Sequence, residues 1–284
     1  MRNVSYRCIA GAILSAAVLL SACSVKAQLL ASWQFNEPSW NGTPGQVLDV
    51  TTNFNGTAVG GANTVYDTTF GQVGSFNGSG QYVSVGGSGS LAYNGARTIV
   101  AWVDPTSSMG FYGMPIVTGG ATSAGDFFGL GGIGGSDSAY GSGAAYHLYV
   151  DSWYYGPSPI STIAVTPNQW NFVAITYSGG FFNSNSLNFY VNGAAAGSTA
   201  YQMYGYNTDT YTIGGNIIGG TSTAGSFDGL MHDVSIYDTA LTPGQISALY
   251  DSTNPAATPE PGAFALLIGV GVSGAAVIRR KRNG

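Results

Sequence analysis

The chain is poor in charge, nearly devoid of bases, and without cysteine outside its first segment. Its two cysteines, Cys8 and Cys23, both precede Gln28. If that segment is removed, neither a disulfide nor a thiolate metal site can form, and stability must come from a packed core. Lys26 and every arginine except Arg97 lie in the two ends. From Gln28 to Thr258 one base therefore faces eleven Asp and one Glu, a formal net charge of −11. Such a surface repels nucleic acid and anionic membrane. Acid–base groups are equally scarce. That stretch has two histidines, His147 and His232, and a single glutamate, Glu37. Glycoside hydrolysis normally needs two carboxylates flanking the bond, and no two aspartates sit two apart on a strand, although pairs from separate strands stay open. A Ser/His/Asp triad would need one of the two histidines, and no nucleophile-elbow motif accompanies them. The doublets Gly60-Gly61, Gly86-Gly87, Gly119-Gly120 and Gly131-Gly132 lead into no helix with a lysine, so they read as turns or bulges rather than phosphate loops.

What is present is glycine, tyrosine and β-branched residues. The sequence has 44 Gly and 18 Tyr and is 44% hydrophobic, so its low charge is no signature of disorder. Leu30 to Phe35 alternates, with Ala31, Trp33 and Phe35 on one side. Gln81 to Val85, Thr98 to Val103, Asn171 to Tyr177 and Leu187 to Val191 are further strand candidates, rich in Ile, Val, Phe and Tyr. Asn192-Gly193 signals a type I′ hairpin, because both turn positions need positive φ. Many short strands with such punctuation predict an all-β, two-sheet antiparallel sandwich. One helix signal follows: Thr242 as cap, Pro243 at the first helical position, Gln245 closing a capping box, then Ile246, Leu249 and Tyr250 at helical spacing. It predicts a short C-terminal helix of two turns.

Taken in order, several segments resemble the laminin-G-like branch of the concanavalin A-like lectin and glucanase superfamily. They are Trp33-Gln34-Phe35, Ser75-Phe76-Asn77-Gly78 with Gln81-Tyr82-Val83, and Ile99-Val100-Ala101-Trp102-Val103. Gln169-Trp170-Asn171-Phe172 through Tyr177, Asn188 to Gly193, Tyr211 to Gly215, and Phe227-Asp228-Gly229-Leu230-Met231-His232-Asp233-Val234 through Tyr237 complete the set. The resemblance implies a jelly-roll sandwich with Trp33, Trp102 and Trp170 in its core, while Trp40 and Trp153 are less constrained. The superfamily's glucanases carry a Glu-x-Asp-x-Glu strand that this chain lacks.

The ends carry their own signals. Arg2 and Arg7, an apolar run from Ile9 to Leu20, and small residues beyond form the three parts of a secretory signal. Val25-Lys26-Ala27 resembles a signal peptidase I site, and Leu20-Ser21-Ala22-Cys23 resembles a lipobox. At the other end, Pro259-Glu260-Pro261 precedes an apolar run from Ala263 to Ile278 and the basic cluster Arg279, Arg280, Lys281 and Arg282. The cluster favours the cytoplasmic side, which leaves the rest outside. This tripartite end resembles the PEP-CTERM sorting signal of Gram-negative bacteria. It implies an exosortase as partner, transient anchoring in the inner membrane, and release to the cell surface or an extracellular polysaccharide matrix. The expected organisation is a signal peptide over 1–27, the sandwich over 28–252, a linker with the Pro-Glu-Pro motif over 253–262, and the apolar and basic tail over 263–284.

Two sites are expected. Sugars bind through aromatic rings on their C–H faces and polar groups on their hydroxyls. In Ala145 to Trp153, alternation sends Tyr146, Leu148 and Val150 one way and His147, Tyr149, Asp151 and Trp153 the other. With the first set in the core, the second would form a sugar platform on the opposite face, with Tyr154, Tyr155, Tyr201, Tyr204 and Tyr206 in loops nearby. The resemblance also implies a structural Ca²⁺, held by the Asp233 side chain and by carbonyls near Glu37 and Gly78, with His232 and Val234 turned toward the core. The function expected is non-enzymatic binding of polysaccharide or glycoconjugate, or adhesion, with membrane contact only through the terminal segments. A purely structural matrix protein and a glycan-active hydrolase or lyase are the alternatives.

Overall fold

The computed structural model describes residues 27–86, 95–108, 113–121, 124–131, 145–152, 158–179, 185–201, 210–218 and 221–256. The sorting motif, the basic cluster, residues 1–26 and the platform residues Trp153 and Tyr154 lie outside them.

Two antiparallel sheets face each other. One has the order β13 (Ala194–Tyr201), β12 (Asn185–Val191), β11 (Asn171–Tyr177), β6 (Arg97–Pro105), β17 (Asp228–Tyr237), β4 (Gly71–Asn77), β3 (Asn63–Asp67). Here β1 (Leu29–Trp33) takes over from β4 alongside the second half of β17. The other sheet runs β10 (Ile160–Ala164), β9 (His147–Ser152), β8 (Ala124–Leu130), β7 (Met114–Ala121), β14 (Thr210–Ile213), β5 (Tyr82–Gly86), β2 (Gly56–Val59). A small hairpin, β15 (Gly215–Ile218) and β16 (Thr221–Ser226), follows β14. The expected sandwich is present, and each predicted strand lies within or overlaps one of these.

The main core lies between the sheets. Trp33, Phe35, Val83, Met114, Leu130, Leu148, Val173, Phe227 and Met231 are all buried there. A second apolar cluster lies on the outer face of the first sheet, under the helix α1 (Pro243–Thr253), and holds Val100, Trp102, Phe172, Tyr190, Ile246 and Leu249. This explains why β6 and β11 read as unbroken apolar runs: both of their faces are covered. The helix starts as expected, with Thr242 Oγ1 accepting from Gln245 N–H and the Gln245 side chain accepting from Thr242 N–H. It runs for 11 residues, a turn longer than predicted, and the Trp102 indole N–H donates to Thr253 Oγ1 at 2.9 Å in its last turn. Asn192 and Gly193 have φ of 50° and 76°, as the hairpin requires.

The tryptophans need one exchange. Trp170 is only half-buried and sits against the outer cluster, whereas Trp40 is 4% exposed in the main core. Trp40 is fixed by Glu37, whose Oε2 accepts its indole N–H at 3.0 Å.

The link between β1 and β2 is held by one carboxylate. Asp49 is 2% exposed. Its Oδ1 accepts the N–H of Ser32 and Thr51, and its Oδ2 accepts the N–H of Asn53 and Phe54 and the Thr51 hydroxyl. Replacing it orphans several buried donors, each costing about 1–3 kcal/mol. Urea unfolding of Asp49→Ala is expected to show a loss of about 3 kcal/mol or more, with Asp49→Asn recovering part of it. A loss under about 0.5 kcal/mol, typical of an inert surface site, would contradict this role.

Candidate functional site

The expected sugar platform is partly assembled. Leu148 and Val150 are fully buried and Tyr146 packs against the same core, so the alternation of β9 is as predicted and His147 faces outward. The His147 ring is fixed: its Nδ1 lies 2.7 Å from the Ser161 carbonyl on β10. A carbonyl can only accept, so Nδ1 carries a proton, and in the neutral ring Nε2 is an acceptor. Ser161 is itself tied on both sides, accepting from Leu148 N–H and donating to the Ile163 carbonyl. Exposed Ile160 and Ile163 lie on either side of Ser161 on β10.

Tyr149 departs from expectation. It is 2% exposed, so its ring is not offered to a sugar. Gly129 stands opposite it on β8, and a Cβ there would come within 3.1 Å of Tyr149 Cε1. The missing side chain lets the phenol lie down over the glycine. Asp151 takes its place in β9 opposite Phe127, with a side chain outside the description. Tyr201 ends β13, half-buried against the core rather than in a loop.

One feature was not anticipated. The register aligns Asp151, Phe127, Thr118, Thr212, Ser84 and Thr57 across six strands, on the face opposite the core. Four of the six are hydroxyl residues. Thr118 and Thr212 are buried, because the β15–β16 hairpin packs back against β7 and the Thr212 hydroxyl donates to the Gly215 carbonyl at its start. The middle of the row is thus covered, while Ser84 and Thr57 at its β2 end are half-buried. The alternation of Thr and Ser with Val and Ile in β2, β5 and β14 was the available signal, but only cross-strand register aligns it.

The calcium donors are not brought together. Gly78 donates its N–H to the Phe227 carbonyl and lies against Asp228, which pairs with Asn77. Asp233 is five residues further along the same strand, or about 16 Å away, whereas oxygens on one Ca²⁺ lie within about 5 Å of each other. Among the described residues no three His, Cys, Asp or Glu are grouped to hold a metal. A bulge in β17 changes the rest of the expectation. Its register on β6 shifts between His232 and Ser235, and Asp233 has a φ of 51°. Met231 and Val234 both point inward and are fully buried, so His232 is turned outward instead of toward the core. It stacks on Phe70, with centroids 4.6 Å apart, and its Nε2 lies 3.8 Å from Asp233 Oδ2. Burial lowers the His232 pKa against the pull of Asp233, the Gln34 backbone and Asp67, and burial raises that of Asp233. Burial, reinforced by Asp233, pushes Tyr237 up to about 12.

Residues 77–247 match a laminin-G family model described as "Concanavalin A-like lectin/glucanases superfamily". A search of the curated proteins finds no match. Among solved structures, domain 4 of AbnA, a GH43 extracellular arabinanase from Geobacillus stearothermophilus solved with arabinotriose, is similar at 20% identity and a TM-score of 0.55, covering 79% of this chain and 98% of that one. The binding domain of Paraclostridial Mosquitocidal Protein 1 is similar at 14% identity and a TM-score of 0.56. A structure of botulinum neurotoxin type C, titled for cell entry dependent on two ganglioside molecules, is similar at 16% identity and a TM-score of 0.53. Each toxin match covers 79% of this chain, which spans about half of the toxin domains' length. At such identities the likeness is one of fold.

With the donors apart, melting curves of the domain in millimolar calcium and in chelator are expected to coincide. A calcium-dependent rise in midpoint, as mass action gives for any ion bound to the folded state, that also disappears in Asp233→Ala, would restore the site.

Proposed function

Since the chain belongs to the concanavalin A-like lectin/glucanases superfamily, we propose that it is an exported, non-enzymatic protein that binds carbohydrate and so mediates adhesion in an extracellular polysaccharide matrix. The observation that carries this reading is the outer face of the second sheet around β9. There His147, oriented by the Ser161 carbonyl, lies on the strand next to the one that carries exposed Ile160 and Ile163. An imidazole acceptor in its neutral form and an apolar surface suit a neutral sugar, which offers O–H donors from one edge and C–H from its face. Asp151, Trp153 and Tyr154 extend this surface in sequence. The fold is shared with a domain solved with arabinotriose and with toxin binding domains. The single glutamate, the two histidines and the lack of a Glu-x-Asp-x-Glu strand favour binding over turnover. Export rests on the signal-like start and the Pro-Glu-Pro tail, with signal peptidase and an exosortase as processing partners.

The test is a printed array of neutral polysaccharide fragments, arabinotriose among them, probed with residues 28–256. Binding to at least one neutral glycan is expected. His147→Ala should lose about tenfold in affinity, or about 1.4 kcal/mol, with an unchanged melting midpoint. Equal affinity of His147→Ala and wild type, or no binding to any fragment, would overturn the reading.

A further inference from the structure

A second constellation lies on the other sheet, away from β9. On the outer face of the first sheet, His232 on β17 pairs with Trp102 on β6, which pairs with Phe172 on β11. One step along, Leu230 pairs with Asp104. Trp170 lies just past the β11 ladder, where Asn171 faces Val103, and so comes opposite Asp104. The turn between β3 and β4 folds over this surface and contributes Asp67 and Phe70. The Phe70 ring stands edge-on to Trp170 at 4.8 Å and 5.3 Å from Trp102. Asp67 Oδ1 accepts the Trp170 indole N–H at 3.2 Å, together with the N–H of Thr69 and Phe70, which fixes both rings relative to the carboxylate.

Asp104 differs from Asp49, Asp67 and Glu37, whose carboxylates accept backbone or indole N–H groups. It accepts no hydrogen bond among the described residues, and burial together with the charge of Asp67 raises its carboxyl above the ordinary value. Arg97 is the only Lys or Arg between Gln28 and Thr258, and at 4% exposure it lies beside Tyr211. No basic side chain of the domain therefore offsets Asp67, Asp104 and Asp233. His232 and Tyr237 are the other titratable groups beside them, and burial favours the neutral form of each.

We propose that this aromatic–carboxylate site, Trp170 and Phe70 beside Asp67 and Asp104, binds the ammonium group of an amine-bearing sugar, as in the glucosamine units of a deacetylated polysaccharide. An organic ammonium is stabilised by the face of an indole as well as by carboxylates, and the sugar ring that carries it has a C–H face to stack. A divalent metal would use the carboxylates and leave the aromatic faces without a role. The inference rests on the glycan-binding reading of the domain but uses the opposite sheet, so the two can fail separately.

The test is calorimetry of residues 28–256 with a glucosamine tetramer and with its N-acetylated counterpart. The amine form is expected to bind at least tenfold more tightly, with affinity falling as salt is raised. Asp104→Asn should lose most of that preference, and Trp170→Leu should weaken both sugars at this site, while His147→Ala leaves amine binding intact. A fold control comes with Asp104→Asn. A carboxyl raised above its unfolded value of 3.8 holds its proton more readily in the folded state, so its ionisation costs stability as pH rises through that window. The variant should therefore melt higher than wild type at pH 7, with the gap closing toward acid. Equal affinity for the two tetramers, an Asp104→Asn variant that binds the amine like wild type, or the appearance of shorter oligomers would overturn the proposal; the last would make Asp67 and Asp104 a hydrolytic pair.

Discussion

The extra residue in β17 is the constraint on which the rest of the sandwich depends. This strand runs through the middle of one sheet, pairing with β6 along one edge and with β4 and then β1 along the other. A strand without a bulge that faced Met231 inward would send Asp233 and Ser235 inward and Val234 and Ile236 to the outside. Asp233, at positive φ, adds one residue against β6, and the register beyond it is restored with Val234 and Ile236 in the core. His232, next to inward-facing Met231, lies outside beneath Phe70, and beyond the bulge β1 continues the sheet. Core and outer surface are therefore set by one local kink, as bulges commonly do where a side chain must be re-aimed.

A domain without lysine has to place its carboxylates by other means. Asp49 takes four backbone N–H groups, Asp67 takes two and an indole N–H, and Glu37 takes an indole and a backbone N–H. Each joins segments distant in sequence, the work that ion pairs do elsewhere, with hydrogen bonds that salt does not screen away. Aromatic N–H groups belong to the same economy: Trp33, Trp40, Trp102 and Trp170 all donate, to Phe54, Glu37, Thr253 and Asp67. Asp104, for which no donor is seen among the described residues, contrasts with Asp49, Asp67 and Glu37.

Much of the architecture was legible because it is local. The I′ turn at Asn192-Gly193, the capping box at Thr242 and the alternation of Leu148 and Val150 are each written within a few residues. What failed was non-local. Tyr149 was read as exposed because alternation says only which face a residue takes, and Gly129 on the neighbouring strand decides whether the ring stands up or lies flat. His232 was assigned to the core by counting in twos through a bulge, although the three-residue interval between Met231 and Val234 carried the warning. A family likeness joins Gly78 and Asp233, but the length of β17 between Asp228 and Asp233 keeps them apart. Asp67 and Trp170, 103 positions apart in the chain, meet only because a turn from one edge of the sheet reaches over β17 and β6.

The bulge can be tested without any ligand. Deleting Asp233 removes the extra residue while leaving every neighbouring side chain in the sequence. The measurement is the urea unfolding midpoint of the deletion beside that of Asp233→Ala in the 28–256 domain. If β17 sets the fold as described, the deletion forces Val234 and Ile236 out of the core or breaks the pairing with β1, and it should cost more than about 4 kcal/mol or abolish folding. The alanine variant, which keeps the residue count, should lose far less. A deletion that unfolds at the wild-type midpoint would show that the strand does not need the bulge, and the account of both the core and the outer surface would fall with it.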